Sequence, residues 1–229
     1  MLNSKGEVKP EPAIAELARL YHAAQTEQQR RAVCLRAVDE GKISLRTPVS
    51  TLDQIFGTHF ALNLPKEGTI AKDLILFATQ PQPPSKPEGR AEAIAYVGSY
   101  LAIDYDHQGN VQNYFLSNLH KGMSSRITGA ETVSIPELKR LYDLAQSEAQ
   151  RRDVALRAID EGVIRTFPHV HISTLDDIFG THLAATVRSG TPGTGVVNFT
   201  PTPASGWFMA VNYERDGTIA DYYLTNLHQ

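Results

Sequence analysis

The sequence predicts an α+β fold of two tandem repeats, each with N-terminal helices and a short helix packed on a four-stranded antiparallel β-sheet. The first observation is an internal duplication: segment 17–43 returns as 138–164 with 18 of 27 positions identical, and segment 50–59 returns as 173–182 with one difference in ten. The second is helical spacing of apolar residues at the start of each copy. The third is that short alternating segments, separated by Gly- or Pro-containing turns, fill the rest of each copy.

The duplication also predicts the domain organisation. A chain of 229 residues suits two domains of roughly 100 to 120 residues. We expect a first repeat over residues 12–121, a second over 134–229, and a linker over 122–133, where the sequence is small and polar.

The first helix of each copy is indicated by apolar residues at helical spacing. In the second copy, Ser134 followed by Pro136 and Glu137 is typical of a helix N-terminus. The positions that carry the pattern are Ile14, Leu17, Leu20 and Tyr21, and in the second copy Ile135, Leu138, Leu141 and Tyr142.

The second helix is indicated by capping boxes, Thr26 with Gln29 and Ser147 with Gln150. Gly41 and Gly162 are expected to end it as C-terminal caps. The sequence leaves open whether the first two helical stretches are separate or form one long bent helix. Four-residue spacing on the second helix predicts surface ion pairs, Arg36 with Glu40 and Arg157 with Glu161.

A short third helix is expected in each copy, with Ser50 and Ser173 as its N-caps. Its buried face would be formed by Leu52, Ile55 and Phe56, matched by Leu175, Ile178 and Phe179, and Gly57 or Gly180 would end it.

Four strands are expected to follow in each copy, and their short connections favour an antiparallel sheet with the helices on one face. Hairpin signals at 106–109 and 215–217 join the last two strands of each copy. A Pro-rich stretch at 80–89 is expected to be a flexible loop. The predicted strands are 60–64, 74–79, 93–105 and 111–119, then 183–187, 196–200, 207–213 and 219–227.

Composition restricts the class of function. A net charge of −3 argues against duplex nucleic acid as a partner, because such proteins need a strong basic surface. Cys34 is the only cysteine, which excludes an internal disulfide and predicts a buried, inert thiol. No apolar run reaches the length of a membrane span. The first ten residues do not resemble a signal peptide, so we expect a cytoplasmic protein. If a leader was removed, the protein would be periplasmic or secreted.

A family resemblance rests on segments 43–57 and 164–180: an apolar residue, a polar loop, a hydroxyl cap, then Leu-Asp-x-Ile-Phe-Gly. A helical pair, a short helix ending in Gly and a four-stranded antiparallel meander resemble the fold of β-lactamase inhibitory protein, which envelope lipoproteins of the BamE/SmpA type share. The inhibitory protein is also a tandem duplication. The resemblance implies protein binding across an exposed sheet face.

Alternation along the strands supplies the candidate binding residues. Trp207, Met209, Val211 and Tyr213 are predicted to face the helices, which leaves Phe208 on the outer face. On the last strand of each copy, one residue of the pairs Tyr114–Phe115 and Tyr222–Tyr223 must also face outward. The candidate binding residues are Tyr100, Tyr114, Phe208 and Tyr222. Trp207 is a further candidate, although a core position is the preferred interpretation for it.

The histidines give the competing interpretations. His59 and His182 follow the short helix in each copy, and His120 and His228 end the last strand. They are predicted to fix turns, with a role as general bases as the alternative. His169 and His171 form His-x-His in the second copy only, aligned with Thr47 and Val49 of the first. No metal site or cofactor is predicted.

Three functions follow from these observations. The first is a non-enzymatic protein-binding module, most concretely an inhibitor or immunity-type protein whose tandem sheets form a concave surface that occludes a partner's site. The second is a hydrolase-like enzyme using His59 or His182 in a cleft between the domains. The third is a structural module that self-associates through sheet edges.

Overall fold

The computed structural model describes residues 11–57, 68, 71–77, 99–117, 133–166, 168–180, 193–199 and 206–227. These residues form an α+β structure of six helices and six strands. The helices are α1 (Pro12–Ala23), α2 (Glu27–Asp39), α3 (Val49–Phe56), α4 (Ile135–Leu144), α5 (Glu148–Asp160) and α6 (Ser173–Phe179). The strands are β1 (Ala71–Leu76), β2 (Tyr100–Tyr105), β3 (Val111–Ser117), β4 (Gly193–Asn198), β5 (Gly206–Tyr213) and β6 (Ile219–Leu227).

The chain divides into two compact units. The first contains Met1–Ala91 and Tyr100–Tyr114, and the second contains Glu92–Ser99 and Phe115–Gln229. Strand β3 therefore contributes its N-terminal part to the first unit and its C-terminal part to the second. The predicted domain boundaries at residues 121 and 134 remain predictions.

Local signals set the boundaries of α2 and α5 as predicted. Thr26 and Ser147 each accept a hydrogen bond from the backbone of the third helical residue, and the Gln at that position returns a bond to the cap, so both capping boxes are confirmed. Helix α1 ends before Thr26, so α1 and α2 are separate helices. Gly41 and Gly162 lie just past α2 and α5 with φ of 69° and 72°, where a side chain would be strained.

The predicted N-caps of the short helices are wrong. Helix α3 already begins at Val49 and α6 at Ser173, and neither has a side-chain cap from a serine hydroxyl. The tertiary structure satisfies these helix ends instead: the Val49 amide donates to the Gly109 carbonyl oxygen (2.8 Å), and the Ile172 amide donates to the Gly217 carbonyl oxygen (2.8 Å). Each short helix is thus fixed to a hairpin of its own unit.

In the first unit, β1 pairs antiparallel with β2, with Ala71 opposite Tyr105 and Leu76 opposite Tyr100. Helix α1 packs on α3 through Tyr21 and Phe56, whose rings meet edge to face at 4.8 Å. The fully buried residues of this core include Leu17, Cys34, Ile43, Leu52, Ile55, Ile75, Leu101 and Ile103. The buried position predicted for Cys34 is therefore confirmed.

In the second unit, the strand order is the end of β3, then β6, β5 and β4, all antiparallel. Helices α4 and α5 attach to this sheet through polar contacts as well as apolar ones. The Tyr142 hydroxyl donates to the Asn198 carbonyl oxygen at 3.1 Å, and the Arg151 guanidinium donates to the Phe199 carbonyl oxygen at 3.4 Å. The helices therefore cover one face of the sheet, which is called the helix side below.

The predicted ion pairs of the second helices are confirmed. Arg36 contacts Glu40 at 2.6 Å and Arg157 contacts Glu161 at 2.7 Å. These side chains are partly exposed, so solvent screening leaves each pair only a small stabilising effect.

Strands β3, β5 and β6 begin within one residue of their predicted positions, and β6 has the predicted bounds. Strands β1 and β4 begin at residues 71 and 193, before the predicted starts at 74 and 196. Strand β2 begins at Tyr100, and residues 93–98 of its predicted span lie outside the described residues. The predicted strands at 60–64 and 183–187, the loop at 80–89 and most of the linker lie outside the described residues.

Candidate functional site

The candidate site is the face of the second unit's sheet that points away from the helix side. It is called the outer sheet face and is defined by Phe115, Val196, Phe208, Ala210 and Tyr223. Cross-strand pairing places these residues together: Phe208 lies opposite Thr225, and Ala210 lies opposite Tyr223 and Val196. Directly paired residues share a face, so one register fixes the whole set.

Three aromatic rings are half-buried on this face: Phe115, Phe208 and Tyr223. The rings of Phe115 and Tyr223 meet at 6.0 Å with an interplanar angle of 63°, an edge-to-face contact. Each ring restrains the rotamers of the other. The two side chains therefore lose less rotamer entropy when another surface covers them. Part of each ring remains in contact with solvent.

Polar groups border the aromatic centre. The Thr194 hydroxyl donates to the Asn212 side-chain oxygen at 2.9 Å. Asp221 lies opposite Asn212 on the same face. An apolar aromatic centre with hydrogen-bonding groups at its edge is the arrangement found in protein–protein interfaces.

The structure corrects two of the predicted surface residues, Tyr114 and Tyr222. They are 1% and 0% exposed, and burial raises the pKa of Tyr222. The register gives the reason: Tyr222 lies opposite Val211 of the core face, and Tyr114 is two residues from Leu116, which pairs with the buried Leu224. Both tyrosines therefore face the core.

Sequence reasoning missed Phe115 and Tyr223, the other members of the two aromatic pairs. The signal that could have found them is the pairing across the β5–β6 hairpin. Once Met209 and Val211 are assigned to the core, their partners Leu224 and Tyr222 must share that face, and Tyr223 is left on the other.

Trp207 is 3% exposed, which agrees with a core position and not with a surface contact. The Arg152 guanidinium carbon lies 5.2 Å from the centre of its ring, a cation–π contact on the helix side. The Glu148 carboxylate accepts the Trp207 backbone N–H. These contacts fix α5 to β5 and leave little of Trp207 for a partner.

Tyr100 and Phe208, the remaining candidates, keep the exposure expected of them. Tyr100 begins β2 of the first unit and is half-buried, while its neighbour Leu101 is fully buried. Phe208 is half-buried between Trp207 and Met209, which are both buried. The predicted alternation holds at these positions but not at Ala102 and Ala210, which were predicted on the outer side and are buried.

Of the histidines singled out by sequence, His59, His120, His182 and His228 lie outside the described residues. His169 is exposed. His171 has a structural contact: its Nδ1 accepts the Ser173 backbone N–H at 3.1 Å, so it satisfies an amide at the start of α6. Within the described part of the chain, no cluster of three metal-ligating side chains occurs.

The hydrogen bonds also correct the alignment of His171 between the copies. Pro48 forms an isolated bridge with Asn110, and His171 forms one with Thr218. Each bridge joins the start of a short helix to a hairpin. His171 therefore corresponds to Pro48 and not to Val49, because the second copy has a longer connection before this point.

None of the helices in the described part of the chain combines the length and the apolar character that a membrane span requires. Comparison of the chain with protein-family models, with curated proteins and with solved structures finds no match. The resemblance to β-lactamase inhibitory protein thus stays a prediction, and the function has to be inferred from the residues themselves.

Proposed function

We propose that this chain is a non-enzymatic protein-binding module that recognises another protein through its outer sheet face. The observation that carries the proposal is the half-exposed aromatic group of Phe115, Phe208 and Tyr223 on one face of the second unit's sheet. Tyr100 of the first unit is a further candidate contact.

Aromatic residues on a paired strand suit this role physically. Tyr and Phe bury a large area while losing only two side-chain torsions, and residues of this kind often dominate binding energy. The backbone below them is held by the paired strands, so little ordering remains for the moment of binding. Occlusion of a partner's functional site, as by an inhibitor or immunity-type protein, is the simplest mechanism for such a face.

We further infer that the fold consists of two tandem repeats, each with helices packed on a four-stranded antiparallel sheet. The support is the duplicated sequence together with matching capping boxes at Thr26 and Ser147. Duplicated binding modules raise avidity when both units reach the partner. The likeness to β-lactamase inhibitory protein belongs to the same inference.

Capture of partners from native cell lysate tests the proposal. The wild-type chain is compared with the double variant Phe208→Ala/Tyr223→Ala, and bound proteins are identified by mass spectrometry. We expect one stoichiometric partner that the double variant loses. The matched control is Leu144→Ala, which removes an exposed apolar side chain (59% exposed) from α4 and should retain the partner.

Folding has to be measured alongside capture. Because Phe208 and Tyr223 are only half-buried, we expect the double variant to retain a cooperative thermal transition. A partner retained by a folded double variant would contradict the assignment of this face. Absence of any partner for the wild-type chain would contradict the proposed function itself.

A further inference from the structure

A second feature of the chain lies in the first unit, in the turn formed by residues 44–47. The Thr47 amide donates to the Ser44 carbonyl oxygen at 3.1 Å, which closes a four-residue β-turn. The Ser44 amide donates to the Thr47 side-chain oxygen at 2.9 Å. Leu45 and Arg46 form the corners of this turn and are both exposed.

The turn is fastened to strand β3. The Arg46 amide donates to the Val111 carbonyl oxygen at 2.7 Å, and the Val111 amide donates to the Thr47 carbonyl oxygen at 2.9 Å. The two corner side chains therefore project from a backbone that is bonded on both sides. A preformed loop of this kind loses little conformational entropy on binding.

Arg46 has a φ of 68°, and it is the one residue other than glycine with positive φ in the described part of the chain. The third position of a turn closed in this way often requires positive φ, which favours Gly or Asn. An arginine there is strained by contact of its Cβ with the backbone. A glycine would remove this strain, so the arginine side chain is the feature of this position that needs an explanation.

No such explanation is found inside the described residues. No carboxylate, carbonyl oxygen or aromatic ring among them pairs with the Arg46 guanidinium. Leu45 beside it is 36% exposed, although it is a large apolar residue. A strained backbone, a guanidinium with no partner in the described part of the chain, and an exposed leucine therefore coincide within two residues.

We propose that the turn 44–47 is a contact loop, which places Leu45 in an apolar pocket and Arg46 on a carboxylate of a protein partner. This inference rests on the protein-binding function proposed above and adds a second contact region, with the chemistry of its partner. A planar guanidinium matches a carboxylate through two parallel hydrogen bonds, and arginine is frequent among residues that dominate interfaces.

Thermal unfolding of the full chain tests the strain without knowledge of the partner. Arg46→Gly relieves the strained φ, so we expect its Tm to rise by about 2–4 °C. Arg46→Ala keeps the strain and removes only the guanidinium, so its Tm should stay at the wild-type value. A lower Tm for Arg46→Ala would overturn the proposal, because the guanidinium would then act within the chain. An unchanged Tm for Arg46→Gly would also overturn it.

Photo-crosslinking in the native cell tests the contact. A benzophenone amino acid replaces Leu45, and in the control it replaces Leu144, another exposed large apolar residue. We expect one protein adduct from position 45 and none from position 144. Adding Arg46→Ala should lower its yield about tenfold, the factor for loss of a charged hydrogen-bonded pair. The proposal would be overturned if no adduct forms or if Arg46→Ala leaves the adduct yield unchanged. It would also be overturned if nuclease or phosphatase removes the adduct.

Comparison of two double variants in the capture experiment separates the two proposals. A partner lost by Phe208→Ala/Tyr223→Ala but kept by Leu45→Ala/Arg46→Ala overturns the contact loop and supports the outer sheet face. The reverse result supports the contact loop and overturns the outer sheet face. Capture of no partner by the wild-type chain overturns both.

Discussion

The buried hydroxyl of Tyr213 is predicted to destabilise the folded chain. Tyr213 is 2% exposed, and its hydroxyl oxygen is buried with no hydrogen-bond partner among the described residues. Gly193 lies directly opposite Tyr213 in the β4–β5 register. A Cβ at Gly193 would overlap the Tyr213 ring and hydroxyl. The Tyr213 ring therefore packs directly against the backbone of Gly193, in the space that a side chain would fill.

A buried hydroxyl without a partner costs about 1–3 kcal/mol of desolvation. Tyr213→Phe removes that cost and keeps the ring in place. We therefore expect the free energy of unfolding to increase by about 1 kcal/mol. Tyr142→Phe is the matched control, because it deletes the 3.1 Å hydrogen bond from the Tyr142 hydroxyl to the Asn198 carbonyl oxygen. That variant should lose about 1 kcal/mol.

Denaturation in urea, followed by far-ultraviolet circular dichroism, measures both variants against the wild-type chain. The expected result is a higher midpoint for Tyr213→Phe and a lower midpoint for Tyr142→Phe, at equal slopes. A midpoint that falls for Tyr213→Phe as far as for Tyr142→Phe would refute the reasoning, because the Tyr213 hydroxyl would then have a partner.

Two further predictions concern the hairpins. Gly217 has a φ of 86°, and a Cβ there would overlap the His171 ring. Gly217→Ala should therefore lower the free energy of unfolding, measured in urea, by about 1–3 kcal/mol. Adding His171→Ala should restore part of that loss, and strictly additive losses would contradict the contact. The Thr218 amide and hydroxyl hold the pKa of Asp216 below its usual value, and the Asn110 amide does the same for Asp106. A carboxyl group whose pKa is lower in the folded than in the unfolded state stabilises the folded state at pH values above the unfolded-state pKa. This stabilisation is lost as the pH falls through the folded-state pKa. Asp216→Asn and Asp106→Asn should therefore each lower the Tm at neutral pH, and the difference in Tm from the wild-type chain should shrink below about pH 4. A difference in Tm that does not change with pH would show that the charged carboxylates are not its cause.

The sequence predicted the helices well because their signals are local. The capping box of Thr26 and the glycine after α2 act within a few residues of the chain, so no tertiary contact is needed to recognise them. The short helices were predicted less accurately: the start of α3 is bonded to Gly109, about sixty residues away in sequence. Local residues could not indicate that bond.

The candidate site divides in the same way. Alternation alone placed Phe208 on the outer face and Trp207 in the core. Alternation did not decide between Tyr222 and Tyr223, since both neighbours are aromatic and either phase suits a strand. Only the pairing of Tyr222 with Val211 settled it.

By itself, then, the sequence determined the duplicated segments, the helical elements with their caps, and the alternating strands, because these depend on neighbours along the chain. The tertiary structure decided which aromatic residues reach the surface, how the short helices are held, and where Arg46 adopts a left-handed conformation. These features depend on strand register and on hydrogen bonds between segments far apart in sequence, which composition and periodicity do not specify.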